Sequence, residues 1–230
     1  MHAHSSLLLA VDTSSDVVSA ALAEVHDAGV RVIAAKDERA ANRHGELLAS
    51  NIDALLHEAG VSPSSLVAVA AGLGPGPFTG LRVGVVTASS LADALGLPSY
   101  GVCSLDAIAS VSAAGRPFLV CTDARRKQVY WARYDGAGRR LDGPDIAPAA
   151  DVAARFADEV PLAVGAGVSL YPAEFAAFDE TSVGGVSSTE VAALVADRVR
   201  IGAPSDVMEP LYLRRPDASP PGRPKSVLPA

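Results

Sequence analysis

Two aspartates and one glycine-rich run have the types and spacing to handle phosphate. Asp12 closes the apolar run Leu7-Leu8-Leu9-Ala10-Val11 and opens the polar turn Asp12-Thr13-Ser14-Ser15-Asp16. A carboxylate at a strand end, beside turn amides, can organise a magnesium–phosphate group. The same residues can instead form an Asx turn, in which the carboxylate accepts from its own hairpin. Asp123 repeats the arrangement, since Asp12-Thr13 and Val18 align without gaps on Asp123-Ala124 and Val129. Between the two lies Gly72-Leu73-Gly74-Pro75-Gly76-Pro77-Phe78-Thr79-Gly80. Its glycines permit positive φ and close backbone approach. A helix expected from Leu81 would open onto the loop, with Thr79 as its cap and its N-terminus as an anion site. Asp12, Gly74, Gly76, Gly80 and Asp123 therefore form a candidate vestigial phosphate loop. No Lys follows the glycines and the G-x-G-x-x-G spacing is absent, so it is neither of the common nucleotide loops. Pro75 and Pro77 remove two amides a phosphate would use, and a ligand-free strand-to-helix turn stands as the equal alternative.

Other chemistries find little support. No Ser sits in G-x-S-x-G. His44-Gly45-Glu46 offers one metal-like pair, and His44 is expected to pack at the start of a helix. Cys103 and Cys121 lie in apolar contexts and read as buried thiols of a reducing compartment; with scattered histidines they make no four-ligand zinc site. The 230 residues carry a net charge of −7, which argues against a broad basic surface for nucleic acid. The clusters Arg125-Arg126-Lys127, Arg139-Arg140 and Arg214-Arg215 read as turn and rim charge. No apolar run approaches the roughly 18 residues of a membrane helix. With no basic n-region ahead of Leu7, a cytoplasmic protein without membrane contact is expected.

The elements that must position these residues follow from periodicity. Residues 7–11, 17–25 and 30–35 read as a meander of strands. Residues 45–59 change to a helical period, with Leu48, Ile52, Leu55 and Ala59 on one face. A buried parallel strand at 67–73, a helix at 81–95 and a short strand at 99–103 follow. The pattern then restarts: strands at 117–123 and 128–134, a weaker one near Leu141, a helix at 149–158, a strand at 162–164 and a helix at 189–200 with Thr189 as cap. Two halves led by the same β-β-β-α order indicate an internal duplication. The expected organisation is a first lobe at 1–106, a second at 107–213 and a Pro-rich tail at 214–230. The outer faces of the two first-lobe helices look small and weakly polar, with Ala49, Ser50, Asn51 and Ala54 on one and Gly84, Thr87, Ala88, Ser89 and Ser90 on the other. Such faces suit close helix–helix approach between subunits.

Five segments together resemble the TsaB (YeaZ) family, needed to make N6-threonylcarbamoyladenosine in tRNA. They are Leu8-x-x-Val11-Asp12-Thr13-Ser14-Ser15, Arg43-His44-x-x-Leu47-Leu48, Gly74-Pro75-Gly76-x-Phe78-Thr79-Gly80-Leu81-Arg82-x-Gly84, Thr122-Asp123-Ala124-Arg125-Arg126-x-x-Val129-Tyr130 and Pro210-Leu211-Tyr212-Leu213-Arg214. Pro77 stands where the family usually has Ser. The resemblance implies an α/β chain of the actin-like, Hsp70-like ATPase fold, built from two RNase H-like lobes. It also implies a catalytic paralogue, TsaD, whose relatives carry a His-Leu-Glu-Gly-His metal motif. The corresponding stretch here is Gly101-Val102-Cys103-Ser104-Leu105-Asp106-Ala107-Ile108. Ser104 and Ile108 stand where the two histidines would be, and neither suits a transition metal, so no metal, no cofactor and no catalysis by this chain are expected. The implied role is that of a non-catalytic subunit. It would bind the TsaD-like protein, work with a TsaE-like P-loop ATPase, and meet tRNA only through the complex. That complex moves a threonylcarbamoyl group from its adenylate to adenosine 37. Leu48, Asn51, Ile52, Leu55, Val83, Thr87 and Ser90 are the implied interface, and a homodimer through the same patch is compatible with it. The leading alternative is a self-sufficient ATP-dependent phosphotransferase of the same fold. A metal-dependent peptidase ranks lower, because it needs the missing His pair.

Overall fold

The computed structural model describes residues 6–39, 43–112, 115–181 and 185–214. The sequence elements appear in the expected order. Strands β1 (Ser6–Asp12), β2 (Val17–His26) and β3 (Gly29–Arg39) form the meander, followed by α1 (His44–Glu58), β4 (Leu66–Gly72), α2 (Phe78–Leu95), β5 (Ser99–Val102) and α3 (Ser104–Ser112). The second half holds β6 (Phe118–Asp123), β7 (Gln128–Tyr134), β8 (Arg140–Pro148), α4 (Ala149–Phe156), β9 (Leu162–Val164), α5 (Ala166–Leu170), β10 (Asp179–Thr181) and α6 (Ser188–Arg200). The sheets run β3-β2-β1-β4-β5 and β10-β9-β6-β7-β8. Strands β1 and β6 each pair antiparallel with the next strand and parallel with the strand after the first helix. The two sheets thus share one topology, and the chain is the duplicated RNase H-like pair of the actin-like ATPase fold. Asp12 and Asp123 are the last residues of equivalent strands.

Strand β1 is apolar from Leu7 to Val11 because both of its faces are covered. Leu9 and Val11 join Leu48, Leu55 and Ala88 beneath α1 and α2, whereas Leu8 and Ala10 turn to the opposite face. In β6, Leu119 and Cys121 pack under α4, while Phe118 and Val120 face the first sheet's cluster. One apolar cluster therefore joins the two sheets, with Leu105 and Ile108 of α3 and Val191 and Val195 of α6 inside it. Helix α6 comes from the second half yet lies on β1, β2 and β4, and α3 comes from the first half yet reaches β6 and β7. The expected lobe boundary at Asp106 falls in the first turn of α3.

Several details differ from expectation. Helix α2 begins at Phe78 after Pro77 and has no side-chain cap; Thr79 lies inside its first turn. Ser187, not Thr189, caps α6 by accepting from the Thr189 amide. Strand β8 is nine residues long, and its largely exposed edge position explains its weak apolar signal. Helices α3 and α5 and strand β10 carry no expectation from the sequence. The tail expected at 214–230 lies outside the described residues beyond Arg214.

Candidate functional site

The β1–β2 turn and the glycine-rich loop meet, and they meet each other rather than a shared space. Asp12 is fully buried. Its Oδ1 accepts from the Ser14 amide and the Ser14 hydroxyl, both at 2.7 Å, and its Oδ2 accepts from the Ser104 hydroxyl at 2.6 Å. Ser104 Oγ also accepts from the Gly74 amide at 3.1 Å, and the Gly74 carbonyl accepts from the Ser104 amide at 2.7 Å. Burial pushes the Asp12 carboxyl up from its ordinary 3.8, and the bonds from Ser104 and Ser14 partly oppose it. The Asx-turn reading of Asp12 describes this geometry, and the carboxylate is closed to solvent.

The glycines serve this closure. A Cβ on Gly72 would lie 1.7 Å from Asp12 Oδ2, one on Gly76 would lie 2.1 Å from the Ser14 carbonyl oxygen, and one on Gly84 would lie 2.4 Å from Thr13 Oγ1. Thr13 Oγ1 donates to the Gly80 carbonyl at 2.7 Å and accepts from the Gly84 amide at 2.9 Å. Thr13 and Ser14 thus pack directly against Gly76, Gly80 and Gly84.

Asp123, the duplicate, is placed differently. It lines a cavity of about 500 Å³ between the lobes, with Gly76, Gly80 and the first turn of α2 on the facing wall. Its Oδ1 accepts from the Arg125 amide at 2.7 Å. That bond helps hold a tight hairpin turn in which Arg125, Arg126 and Lys127 have φ of 60°, 53° and 58°. Each such non-glycine residue costs roughly 1–2 kcal/mol. The bonds from Gln128 N to Arg125 O and from Ala149 N to Lys127 O also pin the turn. One bond crosses between the halves here, the Tyr130 hydroxyl donating to the Gly76 carbonyl at 3.3 Å, and Arg214 donates to the Ala124 carbonyl beside it at 2.6 Å. Phe78 and Tyr212 meet at 4.8 Å between ring centroids, and the Arg82 guanidinium lies 5.0 Å over Phe78. His44 also lines the cavity and bonds the Ser15 carbonyl at 3.0 Å. Arg125, Tyr130, Tyr212 and Arg214 were legible only as turn charge or as parts of a motif; no spacing in the sequence says that they converge.

The expected paralogue positions are both structural. Ser104 serves the Asp12 network, and Ile108 sits in the core. Among the described residues, no three His, Cys, Asp or Glu side chains are grouped to hold a metal ion. Cys103 and Cys121 are buried free thiols; burial, with Asp106 adding to it, pushes Cys103 up to about 11.

The expected interface divides. Leu48 and Leu55 are fully buried, and Asn51 and Ile52 are 4% and 8% exposed, so in this structure they face inward rather than toward solvent. Gly84 and Ala88 also point inward, so the small side chains of α2 serve its approach to the sheet. Val83 and Thr87 are half-buried and Ser90 is exposed. They share a face with Val86, which is 56% exposed and which the sequence reading omitted. No described helix is long and apolar enough to cross a membrane.

A family model for TsaD, tRNA N6-adenosine threonylcarbamoyltransferase, matches residues 32–166. An uncharacterised protein of Mycobacterium tuberculosis is 42% identical over 215 residues, covering 94% of this chain and 95% of that protein. The tRNA threonylcarbamoyladenosine biosynthesis protein TsaB of Escherichia coli is 35% identical over 131 residues, covering 55% of this chain and 54% of that protein. Among solved structures, YeaZ from Pseudomonas aeruginosa superposes with a TM-score of 0.72 at 26% identity, covering 90% of this chain and 100% of that one.

Proposed function

Because the chain belongs to the TsaB (YeaZ) family, we propose that it is the non-catalytic subunit of the complex that makes N6-threonylcarbamoyladenosine at position 37 of tRNA. Its role in tRNA threonylcarbamoyladenosine biosynthesis follows from that membership. In the proposed assembly the chain binds a TsaD-like catalytic paralogue, and a TsaE-like ATPase acts on the pair. The observation that carries the non-catalytic assignment is the Asp12 network. A carboxylate that accepts three hydrogen bonds from Ser14 and Ser104 and is sealed from solvent is not presented to a magnesium-bound phosphate. The same closure weighs against a self-sufficient phosphotransferase, which would need both duplicated aspartates open to the cleft. The interface this reading uses is the outer face of α2, through Val83, Val86, Thr87 and Ser90. Its apolar members next to small polar ones suit packing against a partner helix.

The test is the mass in solution of the full chain, alone and mixed with the TsaD-like protein of the same genome, by light scattering after size exclusion. A new species at the heterodimer mass is expected. Two proteins that elute independently at micromolar concentration would overturn the reading.

A further inference from the structure

The cavity mouth concentrates positive charge and exposed aromatic rings on a protein whose net charge is −7. On one side stands Arg125, which lines the cavity, with Arg126 and Lys127 exposed beside it on the tight turn after β6. On the other, Arg82 is exposed on the first turns of α2, and Arg214 enters the same cavity. Between them lie Phe78 and Tyr212, 37% and 42% exposed although both are large and apolar. Among the described residues Asp123 is the single carboxylate in the lining, and one of its oxygens is taken by the Arg125 amide. Cations flanking a partly exposed aromatic pair suit a phosphodiester chain with an unstacked base, because the cations take phosphates while any base can stack on the exposed part of a ring. An acidic protein segment would use the charge but leave the rings unexplained.

We propose that this mouth is a direct contact for RNA. The turn Arg125-Arg126-Lys127 with Arg82 and Arg214 engages phosphates, and the Phe78–Tyr212 pair receives a base from a single-stranded stretch. The inference rests on the reading that the chain works in tRNA modification, and it replaces the expectation that tRNA is met only through the complex. The acidic remainder of the surface repels RNA, so the contact is local and spans few phosphates.

The experiment measures anisotropy of a fluorescent tRNA transcript against the full chain, alone and paired with the TsaD-like protein, over a salt series. The expected result is binding that the double variant Arg125→Gln/Lys127→Gln weakens roughly tenfold. Its log–log salt slope should be shallower by about 1.4, the share of two phosphate contacts on a single strand. Arg82→Gln, over the Phe78 ring and away from the turn, should weaken binding in the same direction and keeps the test valid if the double variant misfolds. Tyr212→Leu should weaken binding with the slope unchanged. Light scattering should show pairing with the TsaD-like protein intact in Arg125→Gln/Lys127→Gln and in Tyr212→Leu. Unchanged RNA affinity in the variants would overturn the inference. So would loss of protein pairing with RNA binding retained, or binding of free AMP or ATP by a chain that ignores RNA. Wild-type chain that binds RNA but never pairs would instead defeat the proposed function alone.

Discussion

The hydroxyl of Ser104 donates to Oδ2 of Asp12 across 2.6 Å, joining residues 92 apart in the chain at a point with no solvent access. Ser104→Ala would leave that oxygen without its donor and the Gly74 amide without its acceptor. Each unmet buried group costs about 1–3 kcal/mol. The variant should lose roughly 2–4 kcal/mol in urea unfolding, with several degrees off Tm. Full retention of stability would mean that the Asp12 network is not what closes the turn.

Asp12 also gives stability a distinctive pH dependence. Burial raises its folded-state value above the ordinary 3.8, so the folded chain holds this proton more readily than the unfolded chain. The contribution is fully present below 3.8 and is lost as pH rises through the raised folded value. Asp12→Asn keeps the acceptor for Ser14 and removes the titration. The stability of wild type relative to this variant should therefore fall as pH rises above 3.8 and through the raised folded value. Denaturant melts at a series of pH values read this directly, and parallel profiles for the two proteins would refute it.

Three glycines separate packing from ligand binding. A Cβ on Gly76 would meet the Ser14 carbonyl oxygen at 2.1 Å, and backbone cannot rotate away. Gly76→Ala should cost more than about 2 kcal/mol. A Cβ on Gly84 would meet the Thr13 hydroxyl, which can turn aside with the loss of two hydrogen bonds, for about 1–2 kcal/mol. Nothing lies within 4 Å of a Cβ on Gly45, in the first turn of α1, so Gly45→Ala should stabilise by about 0.5 kcal/mol. Midpoints from urea curves should rank the three in that order. A loop kept open for a ligand would instead show near-equal, small effects.

The duplicated fold was legible because strand and helix periods repeat in the same order and Asp12 aligns with Asp123. What escaped is what depends on tertiary contact. Helix α3 lies between the sheets and is buried on most of its surface, so Leu105, Ala107, Ile108 and Ala109 show no clean one-sided stripe. Helix α5 and strand β10 are five and three residues long, too short to carry a period. The sealing of Asp12 needs Ser104, and no local pattern around Asp12 announces it. Gly84 and Ala88 were taken for an outer face because small residues look alike whether they admit a partner helix or their own sheet.

That ambiguity makes the division of the expected interface testable. Leu55 is fully buried against β-strand residues such as Leu9 and Leu22, whereas Thr87 and Val86 border solvent on α2. Leu55→Ala deletes buried methyl groups and should cost about 2–5 kcal/mol by urea unfolding. It should leave pairing with the TsaD-like protein intact at temperatures where the chain remains folded. Thr87→Arg and Val86→Arg add a long cation to an open face, so they should shift stability by no more than about 0.5 kcal/mol. At a helix–helix contact the same charge would be desolvated without a partner, which costs enough to abolish pairing at micromolar concentration. Light scattering of the three variants with the TsaD-like protein separates the cases. If Thr87→Arg and Val86→Arg both pair normally, the partner does not sit on α2. If Leu55→Ala alone abolishes pairing while folded, the buried face of α1 must open on binding, and the chain's own core would be part of the interface.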